Sequence, residues 1–89
     1  MGSQEFIELA KKEVGEYTLT HLDKSEPTPV FDVFVVWYCK TLQNHKALLS
    51  TTLSDGMYYE ITYNGDKQEA YFDAYKKFEN LVVMKSETE

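Results

Sequence analysis

Cys39, His21 and His45 are the only side chains of the sequence that offer a soft sulfur or an imidazole. Two His and one Cys at these separations match none of the paired Cys/His spacings that hold zinc. A nucleophile–base unit of Cys39 with either His would need the two side chains in contact. The expected sheet sets Cys39 in mid-strand opposite Leu48, on the face that packs the core, where a buried thiol is inert. His45 follows a tight turn and is read as solvated, and His21 lies near a helix C-terminus, where it suits the helix dipole. The four glycines, Gly2, Gly15, Gly56 and Gly65, are dispersed and form no phosphate-cradling loop. Carboxylates are abundant, but Asp55, Asp66 and Glu69 have turn or capping duties, and nothing singles out an acid/base pair. The sequence therefore predicts no catalytic residue, no metal ligand, no cofactor and no enzyme.

Charge excludes further classes. Fifteen acidic residues face nine basic ones, for a net of −6, and all nine are Lys. Arg is the residue suited to bidentate phosphate recognition. A net-negative chain without it is poorly equipped to bind nucleic acid or an anionic membrane. The longest apolar run, Val33 to Cys39, is too short to span a bilayer. The first residues lack the basic, apolar and small-residue series of a secretory signal. One Cys allows no intramolecular disulfide, which fits a reducing cytosol.

The elements that must position these residues follow from spacing. At 10.4 kDa the chain is expected to form one domain over residues 1–89, with an acidic tail frayed from about 85 to 89. A monomeric globular protein of this mass exposes about 5,400 Å². Gln4 to about Leu22 reads as a helix capped by Ser3, with Phe6, Ile7, Ala10, Val14 and Tyr17 as its apolar stripe. Asp23 to Pro29 is a loop. Phe31–Leu42, His45–Leu53 and Met57–Tyr63 read as strands, joined by turns at Gln43-Asn44 and Asp55-Gly56. Asp66, with Glu69 three residues on, caps a second helix whose stripe is Ala70, Tyr71, Ala74, Tyr75, Phe78 and Val82. The expected class is α+β: a three-stranded antiparallel meander with two helices on one face, in the order α-β-β-β-α.

Two-residue turns pair Leu42 with His45, Trp37 with Ser50, Thr52 with Tyr59 and Leu48 with Tyr63. Alternation then collects Val33, Val35, Trp37, Cys39, Leu48, Tyr59, Ile61 and Tyr63 on the covered face. The outer face collects Phe34, Val36, Tyr38, Leu49, Leu53 and Tyr58. A sheet covered on one side should be polar on the other, so these six are the interface candidates. Three-residue turns would flip a strand and change this map, and the Pro27–Pro29 loop is a second way to cover the face.

The stretches Val36-Trp37-Tyr38-Cys39-Lys40-Thr41-Leu42-Gln43-Asn44 and Lys46-Ala47-Leu48-Leu49-Ser50-Thr51-Thr52 are distinctive. So are Asp55-Gly56-Met57-Tyr58-Tyr59-Glu60, Tyr63-Asn64-Gly65-Asp66-Lys67 and Asp73-Ala74-Tyr75-Lys76-Lys77-Phe78-Glu79-Asn80. Together they resemble a family of small uncharacterised proteins encoded by phages and prophages of Gram-positive bacteria. The resemblance implies the cytoplasm of a bacterial host, and it brings no catalytic residues. The α-β-β-β-α order is also similar, in topology alone, to the double-stranded-RNA-binding domain. Those domains bind RNA through a basic start to their second helix. Asp66-Lys67-Gln68-Glu69 offers one Lys against two acids.

These readings converge on a non-enzymatic accessory protein acting through protein–protein contacts of its outer sheet face. The expected partner is a second copy or a host or phage protein, including one whose nucleic-acid-binding surface an acidic protein could occupy. The alternatives are a divergent nucleic-acid-binding module and a small-ligand or nucleotide-sequestering protein with an aromatic pocket.

Overall fold

A computed structural model describes residues 1–22 and 25–84. The order is α1 (Ser3–Thr20), β1 (Val33–Thr41), β2 (Asn44–Thr51), β3 (Met57–Asn64) and β4 (Glu69–Lys76). The four strands form one antiparallel sheet in chain order, β1-β2-β3-β4. The class is α+β, with α1 packed across β1, β2 and β3 on one face. Among the described residues no helix is long and apolar enough to cross a membrane.

α1 follows its stripe. Phe6, Ala10 and Val14 recur every four residues and are fully buried, with Ile7 and Tyr17 packed beside them. Gly2, rather than Ser3, is the N-cap, and its amide donates to Glu5 Oε1 at 3.0 Å. The sheet supplies Ala47, Leu49, Tyr59 and Ile61 to the same core.

The predicted second helix is a strand. Residues 69–76 alternate: Ala70, Phe72 and Ala74 lie on the helix-bearing face, and Tyr71, Asp73 and Tyr75 on the other. This spacing satisfies a period of two as well as a helical one, and aromatic residues favour the pleated surface. Pairing with β3 also satisfies amides and carbonyls that a third strand would leave bare. Asp66 sits in the Gly65–Gln68 turn instead of capping a helix. The described residues thus run α-β-β-β-β, not in the α-β-β-β-α order on which the likeness to the double-stranded-RNA-binding domain rests.

The register also departs from the predicted one. The β1–β2 turn is Leu42-Gln43, with Leu42 at φ 56°, so Thr41 pairs with Asn44. A bulge at Val36 lets β1 keep Val33 and Val35 on the covered face and then return Tyr38 to it. The β2–β3 connection runs from Thr52 to Gly56 instead of turning at Asp55-Gly56 alone, although Gly56 takes the expected positive φ of 69°. Short polar side chains hold it: Ser50 Oγ donates to the Met57 carbonyl at 2.8 Å, and Asp55 Oδ1 accepts from the Met57 amide at 3.1 Å. Leu49 therefore pairs with Tyr59 and Ala47 with Ile61, which flips β2 relative to β3.

The face assignments change accordingly. Val33, Val35, Tyr59, Ile61 and Tyr63 lie on the covered face as predicted. Trp37, Cys39 and Leu48 move to the outer face, and Tyr38 and Leu49 move inward. His45 is buried rather than solvated, because Met1, ahead of α1, and Tyr38 supply partners for both ring nitrogens. Pro27 to Val30 is exposed and covers neither face. The expected frayed tail lies outside the described residues, as does part of the Asp23–Pro29 loop.

Candidate functional site

Pairing across four strands arranges the outer face in rows. Phe34, Ser50, Tyr58 and Tyr75 form one, and Trp37, Leu48, Glu60 and Asp73 the next. Cys39, Lys46, Thr62 and Tyr71 form a third. The rows gather five aromatic rings and a leucine on a face that no element among the described residues covers. Phe34 and Trp37 are each 43% exposed, and Tyr75 is 52% exposed.

Of the six interface candidates, Phe34 and Tyr58 lie on this face. Val36 is exposed in the bulge at the β1 edge. Leu53 lies in the β2–β3 connection. Leu49 is fully buried under α1, and Tyr38 packs against the same core, so neither can line an outer surface. Sequence reasoning misses Trp37, Leu48, Tyr71 and Tyr75. The signal for the last two is the strict alternation in Ala70-Tyr71-Phe72-Asp73-Ala74-Tyr75. The signal for the first two is the run of Ser and Thr side chains able to hold a longer β2–β3 loop.

Acidic groups set the electrostatics of the face. Glu69 accepts a hydrogen bond from the Tyr71 hydroxyl, which raises the pKa of that phenol above its usual value. The charges of Asp73 and then Glu60 raise that of Tyr75. Lys46 Nζ lies 3.8 Å from Glu60 Oε1, and Lys77 Nζ lies 6.0 Å from the centroid of the Tyr58 ring. The surface is thus aromatic with an acidic border, suited to apolar side chains and to cations stacked on rings.

The groups able to do chemistry are dispersed. Cys39 lies opposite Lys46 on the outer face, exposed rather than buried, while His45 lies opposite Lys40 on the covered face. The sheet separates thiol from imidazole. His21 caps α1, its ring stacked on Tyr17 at 4.0 Å. His45 stacks on Phe6 at 5.0 Å. Its Nδ1 lies 2.6 Å from the Tyr38 hydroxyl and its Nε2 lies 3.1 Å from the Met1 carbonyl oxygen. Among the described residues no group of three His, Cys, Asp or Glu is placed to hold a metal ion.

Residues 7–85 match the model of a family described as "Family of unknown function (DUF6275)". No curated protein and no solved structure matches.

Proposed function

The chain belongs to this family of unknown function, and we propose that it is a non-enzymatic accessory protein, of phage or prophage origin, whose outer sheet face binds another protein in the host cytoplasm. The observation that supports this reading is the aromatic face itself. The register differs from the one predicted, and the Pro27–Pro29 loop lies elsewhere, yet Phe34, Trp37, Tyr58, Tyr71 and Tyr75 still share one uncovered surface. Monomeric soluble proteins rarely leave such patches unused.

The chemistry of the face selects the kind of partner. Glu60, Glu69 and Asp73 lie among or beside the rings, and the whole chain carries −6. A protein surface bearing Lys or Arg among apolar side chains complements it. Nucleic-acid-binding proteins present such surfaces, so occupying one is the form of action favoured here.

The test is affinity capture from host lysate with wild-type and Trp37→Glu chains of equal helix and strand content by circular dichroism. A partner retained by wild type, lost with Trp37→Glu and crosslinked to a photoreactive residue at position 58 supports the reading. A partner retained equally by both chains removes it.

A further inference from the structure

The face that carries α1 is only partly covered. α1 lies over β1, β2 and β3, and reaches β4 chiefly where Tyr17 meets Phe72, ring centroids 5.0 Å apart. Between helix and strand runs a groove floored by Ile61, Ala70 and Phe72 and walled by Leu9, Glu13 and Glu16. β4 is also an edge strand. It has no bulge and no proline, and its charges, Glu69, Asp73 and Lys76, leave the backbone of its edge unpaired. The opposite edge, β1, is interrupted by the bulge at Val36.

The same chain holds a segment with nowhere to pack. Past β4, the Lys77 amide donates to the Gly56 carbonyl at 2.7 Å. Residues 78–84 then run on with Phe78 99% exposed, Val83 94% and Met84 84%.

We propose that the chain forms a two-fold dimer in which residues 77–84 of each copy fill the groove between α1 and β4 of the other. Side-chain character favours this occupant. The segment carries Phe78, Leu81, Val82 and Val83 for the apolar floor, and Lys76 and Lys77 stand at its head for the Glu13 and Glu16 wall, with Glu79 the one acid among residues 77–84. Geometry favours it too. Antiparallel apposition of two β4 edges brings the end of one strand beside the start of the other, and a reversal of the chain after Lys77 leads the segment back over Ala70 into the groove. Centred on Phe72, that apposition sets Tyr71 opposite Asp73 and Glu69 opposite Tyr75, so no like charges meet. The contact is isologous and closes on itself, leaving no edge for further growth. It uses the helix-bearing face and leaves the aromatic outer face free.

The test is the mass in solution of the full chain, by sedimentation equilibrium with reductant present because Cys39 is exposed. Wild type should weigh twice 10.4 kDa. Leu81→Asp with Val83→Asp alters only exposed positions. It should give a monomer of unchanged circular dichroism and a dimer dissociation constant raised at least tenfold. Ala70→Lys, also exposed, should do the same from the groove side. Mixing the two variants restores one intact segment–groove contact and should return a heterodimer. A monomeric wild type overturns the proposal, including one whose own segment folds back into its groove. So does a dimer indifferent to Leu81→Asp/Val83→Asp, or a pair of folded variants that stay monomeric when mixed.

Discussion

The Tyr38 hydroxyl lies 2.6 Å from His45 Nδ1, and this pair ties the sheet to the start of the helix. The Met1 carbonyl can only accept, so His45 Nε2 donates to it. In the neutral ring Nδ1 then accepts from Tyr38, whose oxygen also lies 2.9 Å from Ser3 Oγ. Removing the hydroxyl leaves a buried ring nitrogen without a partner. Tyr38→Phe should therefore cost about 1–3 kcal/mol, read as a lower denaturant midpoint at unchanged slope.

The register makes a paired prediction from adjacent leucines. Leu49 is fully buried against Tyr59, whereas Leu48 lies on the outer face between Trp37 and Glu60. Leu49→Ala should cost about 2–5 kcal/mol through the cavity it leaves, and Leu48→Ala at most about 1 kcal/mol. Equal losses in urea titration would contradict this pairing of β2 with β3.

Gly65 marks the closest approach of two turns. A Cβ there would collide with the Gln43 carbonyl oxygen, too near for either backbone to stay in place. The turns are joined across this point. The Gly65 amide donates to Asn44 Oδ1 at 2.9 Å, and Gln43 Nε2 donates to Asp66. Gly65→Ala should lower stability by about 1–3 kcal/mol, as overpacking against backbone does. A melting temperature equal to that of wild type would refute the contact.

Alkaline pH should unfold the protein through Tyr59. Its burial raises the phenol above its usual value of 10.0, although a hydrogen bond with Thr18 works the other way. The folded state thus holds this proton more tightly than the unfolded chain does. The stabilisation is complete below the unfolded value and is lost as pH rises through the folded one. Denaturant midpoints measured from pH 8 to 11 should fall at the upper end, with tyrosinate absorbance rising in the same range. Tyr59→Phe should flatten that dependence.

Much of the architecture is legible in local pattern. The i, i+4 stripe of Phe6, Ala10 and Val14 defines α1, and the β-branched and aromatic run from Val33 defines β1. What local pattern leaves open is phase. The β2–β3 connection is longer than Asp55-Gly56 alone suggests because Ser50, Thr51 and Asp55 bond to its backbone, and that change of length turns Leu48 outward and Leu49 inward. The segment from Glu69 to Lys76 fits both periods, and only the free edge of β3 decides between them. His45 reads as a solvated turn residue because its partners, Met1 and Tyr38, come from elsewhere in the chain. The candidate surface was therefore legible as an aromatic outer face, while its membership depended on connections that residue types alone do not measure.

Chain order in the sheet has a kinetic meaning. Each strand pairs with its sequence neighbours, so the sheet assembles as successive hairpins with little loop entropy to overcome. The one distant event is the docking of α1, which brings Met1 to His45, 44 residues away. Nascent chain should therefore form the ribbon of strands quickly and in any order. The amino-terminal helix, though synthesised first, then seals it last, so its arrival is the step that commits the molecule to a single packed state.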